Sequence, residues 1–178
     1  MLVVNTASAC GYTRANFEGL VATRRKYGPH GFEVLSFPSN SFRQEPLDGP
    51  ELERWARDTH GAEFPVFAKG PVVGPDAQPV WRWIREQQQA KAGGGKQGGG
   101  DVKDVVTWNF WKFLVDGRTG QVVRAYGMPY SAPEIEHDVY ALLNGGADGG
   151  EGGGGGKDAG GDTGATAEKE RTAGAAAD

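Results

Sequence analysis

Residues 2–37 read LVVNTASACGYTRANFEGLVATRRKYGPHGFEVLSF, and the order of patterns within them decides the fold class. Leu2 to Asn5 is a short apolar run ending on the small polar segment Thr6-Ala7-Ser8, which reads as a buried strand running into a loop. From about Arg14 to Tyr27, the residues Phe17, Leu20, Val21 and Tyr27 recur near helical spacing, and Gly28-Pro29 stops the helix. Phe32 to Phe37 is then a second strand. Strand, helix, strand implies parallel pairing with a right-handed crossover.

Further along, Asp48 with Glu51 three residues on is a capping-box pattern for a helix reaching about Thr59, before Gly61. Pro79 starts a third helix in which Val80, Trp83 and Ile84 share a face. Lys112 to Asp116 and Gln121 to Tyr126 are strand patterns joined by Gly117-Arg118-Thr119-Gly120, a hairpin signal, and Ser131 with Glu134 caps a last helix ending near Leu143. A parallel pair followed by an antiparallel hairpin and a closing helix is the layout of an α/β thioredoxin-like fold, with a central mixed four-stranded sheet flanked by helices. We expect it to span residues 1–144, interrupted by a glycine-rich surface loop at about 92–100. Residues 145–178 contain no aromatic or large aliphatic side chain and read as a disordered tail. The first strand follows Met1 directly, so the start reads as truncated, with any targeting segment lost along with it.

Composition narrows the function classes. The tail carries seven acids and three bases, a net charge of −4 that equals the formal charge of all 178 residues. The folded part is therefore close to neutral, without the basic bias of a nucleic-acid binder or a polybasic membrane anchor. No apolar stretch is long enough for stable membrane insertion. The single cysteine allows no intrachain disulfide and points to a cytoplasmic or other reducing compartment. His30, His60 and His137 lack a carboxylate or cysteine at metal-ligand spacing, and the glycine runs starting at Gly93 and Gly98 follow no strand, so neither a metal site nor a phosphate loop is expected.

Cys10 lies between the end of the first strand and the start of the first helix, where unpaired N–H groups and the helix dipole favour negative charge. The thiolate is the nucleophilic form, so a reactive cysteine belongs there; a lone cysteine also often merely packs, and position alone leaves the two readings level. The neighbouring letters decide. V-N-T-A-S-A-C-G-Y-T, from Val4 to Thr13, resembles the signature around the peroxidatic residue of the glutathione peroxidase family. F-P-S-N-S-F-R-Q-E-P from Phe37, E-F-P-V-F-A-K from Glu63, G-P-D-A-Q-P-V-W-R-W from Gly74 and T-W-N-F-W-K-F from Thr107 are similar to further segments of that family in the same order.

The resemblance implies a thiol-dependent peroxidase acting on hydrogen peroxide and organic or lipid hydroperoxides, with Cys10 as nucleophile and Gln44, Trp108 and Asn109 as its polar partners. Neutral amide and indole donors can stabilise a thiolate and the developing charge on peroxide oxygens without adding a charge of their own. No bound cofactor is implied; glutathione or thioredoxin serves as reducing co-substrate. The chain also departs from the family. Arg57 stands where thioredoxin-dependent members carry a resolving cysteine, and Ser39 where F-P-C-N is common, so a sulfenic acid at Cys10 must be resolved by an external thiol, with glutathione the simplest candidate. The long subunit-contact insertion of tetrameric members is not evident, which favours a monomer. A peroxide sensor passing its oxidation to a partner protein, and an inactive thioredoxin-fold interaction module, are the alternative readings.

Overall fold

The computed structural model describes residues 1–91 and 105–145. The expected glycine loop at about 92–100 and, beyond Gly145, the expected tail lie outside the described residues. The elements are β1 (Leu2–Thr6), α1 (Thr13–Tyr27), a 3₁₀ turn (Gly28–His30), β2 (Val34–Pro38), α2 (Gly49–His60), α3 (Pro79–Lys91), β3 (Lys112–Asp116), β4 (Gln121–Tyr126) and α4 (Ala132–Asn144). The four strands form one sheet in the order β2-β1-β3-β4. β1 runs parallel to β2, with Leu2 opposite Val34, and antiparallel to β3, with Leu2 opposite Leu114; β3 and β4 form the antiparallel hairpin. This is the mixed sheet of a thioredoxin-like α/β domain.

Strand alternation distributes the core between the two faces of the sheet. Leu2, Val4, Val34 and Leu114 pack with Phe17 and Leu20 of α1 and Ile135 and Val139 of α4. Val3, Phe113, Val115 and Val122 pack on the other face with Trp81 and Ile84 of α3. In α3 the fully buried pair is Trp81 and Ile84, while Val80 and Trp83 are only partly buried. The Trp81 indole meets Phe37 and Phe113 edge to face at 5.7 and 6.2 Å, a large apolar contact that rotates the helix toward it.

The second strand begins at Val34 rather than Phe32, because Gly31 turns through φ 90° and the Phe32 N–H closes back onto Tyr27 O at 3.3 Å. Both expected capping boxes mark true helix starts without closing as boxes. Asp48 accepts from Gly49 N at 2.9 Å, but the Ser131 hydroxyl makes no capping bond and Glu134 is drawn instead to Arg124 at 3.1 Å. Among the described residues no helix is long and apolar enough to cross a membrane.

Candidate active site

The loop that carries Cys10 is fixed from three directions. Thr13, first residue of α1, donates its hydroxyl to Ala7 O at 2.7 Å and accepts the Cys10 N–H at 3.2 Å, while the Thr13 N–H returns to Cys10 O at 3.0 Å. The strand end and the helix start are thus stitched together across the cysteine. No acidic residue occupies the first turn of α1 to oppose an anion there. On the other side Glu45, buried, accepts from Ser8 N at 2.8 Å, Ser8 Oγ at 2.6 Å and Leu47 N at 3.1 Å. Burial pushes the Glu45 carboxyl above the usual range, against the pull of these donors. The Cys10 thiol itself is nearly buried and packs in the α1 face of the core with Phe17 and Phe110.

Gln44 reaches this loop through the backbone, where Ala9 N donates to Gln44 O at 2.9 Å. Its side chain is held by Asn109, whose Nδ2 donates to Gln44 Oε1 at 2.8 Å. With its amide oxygen occupied, Gln44 keeps both of its own N–H bonds as donors. Asn109 is fully buried, and its Oδ1 has no partner among the described residues. A buried acceptor of this kind costs about 1–3 kcal/mol unless something fills it, and a peroxide hydroxyl or a thiol proton is a chemical match.

The turn carrying Trp108 and Asn109 is built by Asn5 at the end of β1. Asn5 donates through Nδ2 to Trp108 O at 3.0 Å, and accepts Phe110 N on its backbone oxygen at 2.7 Å and Trp111 N on Oδ1 at 2.9 Å. The indole of Trp108 is 37% exposed and leans on Phe42 with ring centroids 5.3 Å apart. Of the four residues singled out from sequence, Gln44 and Asn109 are thus joined directly to each other, Cys10 is joined to Gln44 through its neighbour Ala9, and Trp108 extends from the same turn toward solvent. Two residues in this region adopt the left-handed conformation without being glycine: Arg43 at φ 58°, just before Gln44, and Phe110 at φ 64°, just after Asn109.

Sequence reasoning missed the supports. Asn5, Glu45 and Lys112 stand inside motifs whose reading rests on other letters, and Lys112 also opens a strand pattern. Lys112 is fully buried and donates to Asn16 Oδ1, Phe110 O and Met128 O. Ser39 is buried with its hydroxyl bonded to Ser41 Oγ at 3.0 Å, and Arg57 pairs with Asp58 at 3.0 Å on the outer side of α2. Among the described residues no group of three His, Cys, Asp or Glu side chains is placed to hold a metal. His60, at the end of α2, stacks on Phe17 at 4.6 Å.

A family model described as glutathione peroxidase matches residues 1–85. The chain is 40% identical over 145 residues to a probable phospholipid hydroperoxide glutathione peroxidase of Helianthus annuus, covering 81% of this chain and 74% of that protein. It is likewise 40% identical over 144 residues to the hydroperoxy fatty acid reductase gpx1 of Synechocystis, covering 80% and 82%. Among solved structures, T. cruzi GPX1 superposes with a TM-score of 0.59 at 30% identity over 80% of both chains. A thioredoxin-family thiol:disulfide interchange protein of Chlorobium tepidum, 20% identical with a TM-score of 0.53, shares the fold.

Proposed function

Because this chain belongs to the glutathione peroxidase family, whose members reduce peroxides with thiols, we propose that Cys10 is its peroxidatic nucleophile and that Gln44, Asn109 and Trp108 are the donors that stabilise the reaction at its sulfur. The single observation that carries the assignment is the chain of bonds from Asn109 through the Gln44 side chain and backbone to Ala9, next to the thiol. The thiolate attacks the nearer peroxide oxygen; an S–O bond forms, the O–O bond breaks, and the leaving alkoxide takes up a proton, giving an alcohol, or water from hydrogen peroxide, and Cys10 sulfenic acid. Developing negative charge on the leaving oxygen meets neutral amide donors already in place, so little reorganisation is required.

No second cysteine exists in the chain, so the sulfenic acid condenses with an external thiol, releasing water and forming a mixed disulfide. A second thiol then attacks that disulfide and frees the Cys10 thiolate. The balance is one hydroperoxide and two thiols to one alcohol, one water and one disulfide. Glutathione fits the one-cysteine cycle, and the relatives named for phospholipid and fatty-acid hydroperoxides support lipid hydroperoxides as substrates beside hydrogen peroxide. We read the enzyme as a monomer acting in a reducing compartment.

Cys10→Ser tests the assignment, because a hydroxyl of nearly the same shape has almost no oxyanion form at neutral pH. Peroxide reduction driven by glutathione should vanish while the melting temperature is kept, and wild-type protein given peroxide without reductant should gain one oxygen at Cys10. Turnover in the serine variant comparable to wild type would remove Cys10 from the mechanism.

A further inference from the structure

Lys112 is the one fully buried lysine or arginine among the described residues, and the reaction as written does not use it. Its Nζ lies 2.8 Å from Asn16 Oδ1, 2.6 Å from Phe110 O and 3.2 Å from Met128 O. An ammonium has three donors, and here three oxygens take them. These bonds close a circuit around Cys10. Asn16 donates from Nδ2 to Tyr12 O at 2.9 Å, two residues beyond the cysteine; Ala9, one residue before it, donates to Gln44; Gln44 accepts from Asn109; and Asn109 precedes Phe110, whose carbonyl returns to Lys112. Phe110 sits at φ 64°, a conformation a bulky side chain keeps only when its surroundings over-determine it.

Resting on the assignment of Cys10, Gln44 and Asn109 above, we propose that Lys112 is a positioning residue: its three-donor ammonium pins the left-handed Phe110 peptide to α1 and so aims Asn109 and Gln44 at Cys10, and loss of its proton loosens the site. A neutral amine offers two donors to three oxygens and turns its lone pair toward one of them. Among the described residues no carboxylate pairs with this ammonium. Tyr130 presents its ring at 5.9 Å with its hydroxyl bonded to Thr23, and Tyr126, opposite Lys112 on β4, donates to Asp138 of α4. Arg14 and Glu18 of α1 pair with each other at the surface. Burial accordingly lowers the Lys112 amine from 10.5 to about 7.

Two consequences run in opposite directions. Since the unfolded amine binds its proton up to about pH 10.5 and the folded one only to about 7, the contribution of Lys112 to stability rises with pH across that interval. The positioning, in contrast, is lost as pH rises through the folded value. A merely structural lysine would make rate and melting temperature move together; the positioning role makes them diverge.

The test is the second-order rate constant of Cys10 oxidation by hydrogen peroxide from pH 6 to 9, divided by the rate of Cys10 alkylation by iodoacetamide, which follows thiolate alone. In wild type this ratio should fall several-fold toward alkaline pH while the protein stays folded, and Lys112→Met should lower it at least ~10-fold at pH 6 and abolish the decline. If Lys112→Met does not fold, Asn16→Asp replaces an amide by a carboxylate beside the ammonium, raises its pKa and should move the decline upward by about one pH unit or more. A flat wild-type ratio, a wild-type profile in Lys112→Met, or an unmoved decline in Asn16→Asp overturns the proposal. Failure of the underlying assignment would look different: protein alkylated at Cys10 would still reduce peroxide.

Discussion

The bond from Asn109 Nδ2 to Gln44 Oε1, 2.8 Å long, makes the two amides one device, and a double-mutant cycle measures how far that is so. In the proposed mechanism Gln44→Ala removes a donor to the reaction at Cys10, and loss of one preorganised donor costs on the order of 10²- to 10³-fold, or about 2.7–4 kcal/mol. Asn109→Ala should cost a similar factor by a different route, because Gln44 then loses the partner that fixes its amide and can turn its N–H groups away. Were the two independent, the double variant would lose roughly 10⁴- to 10⁶-fold, the product of the single effects. Acting as a unit, it should lose little more than the worse single variant, which is a coupling close to the whole cost of one donor, about 2.7–4 kcal/mol. The assay is stopped-flow oxidation of Cys10 by hydrogen peroxide at neutral pH, with thermal unfolding of each variant alongside. Full additivity, within about 0.5 kcal/mol, would refute the claim that Asn109 works through Gln44. Wild-type rates in both single variants would refute the role of either.

Glu45→Gln should leave an amide N–H facing the Ser8 or Leu47 N–H and destabilise the neutral-pH fold by about 1–3 kcal/mol, less whatever is regained by removing a desolvated charge. Because burial raises the folded Glu45 pKa, wild-type stability from this group is present below the unfolded carboxylate pKa and lost as pH rises through the folded value; urea titrations from pH 4 to 7 should show that slope in wild type and not in the variant. At Arg43, φ 58° predicts that Arg43→Gly keeps stability within about 1 kcal/mol and preserves the oxidation rate, whereas the β-branched Arg43→Val costs about 1–2 kcal/mol and slows oxidation by moving Gln44. A valine variant indistinguishable from wild type in both measurements would show that the turn before Gln44 carries no strain.

The sheet was legible because its signals are local. Lys112–Asp116 and Gln121–Tyr126 are the residues expected from the pattern, since the short Gly117-to-Gly120 turn between two strand-like runs fixes the strand ends on either side of it. The face of α3 was less legible: apolar residues at 80, 81, 83 and 84 form one broad arc of nearly half the helix, and the neighbours Phe37 and Phe113 select Trp81 as a buried one within it. At the proposed site, the place of Cys10 before a helix left its role open, and the motif letters around Cys10, Gln44 and Asn109 carried the reading. Their contact joins positions 65 residues apart and cannot be seen in any window of sequence. Lys112 was hidden for a sharper reason. A lysine opening a strand ordinarily reads as a solvated end, and its burial depends on three acceptors supplied by α1, by its own turn and by the loop after β4.

The same supports explain why a site of neutral donors can be rigid. Arg43 and Phe110 each occupy a conformation that costs a non-glycine residue about 1–2 kcal/mol, and each adjoins one of the two amides. Such residues persist only where other bonds hold them. Phe110 is held at its N–H by Asn5 O and at its carbonyl by Lys112, while Arg43 is followed by Gln44 and Glu45, whose backbone and carboxylate bind Ala9 and Ser8. The strained turns are therefore joined through the Asn109–Gln44 bond, each anchored to a buried ionisable group. In the proposed mechanism, donors fixed in this way need not reorganise when charge appears on the peroxide, which is where preorganised dipoles gain over water. It follows that weakening an anchor should slow oxidation of Cys10 more than it slows alkylation, since only the former needs the amides aimed.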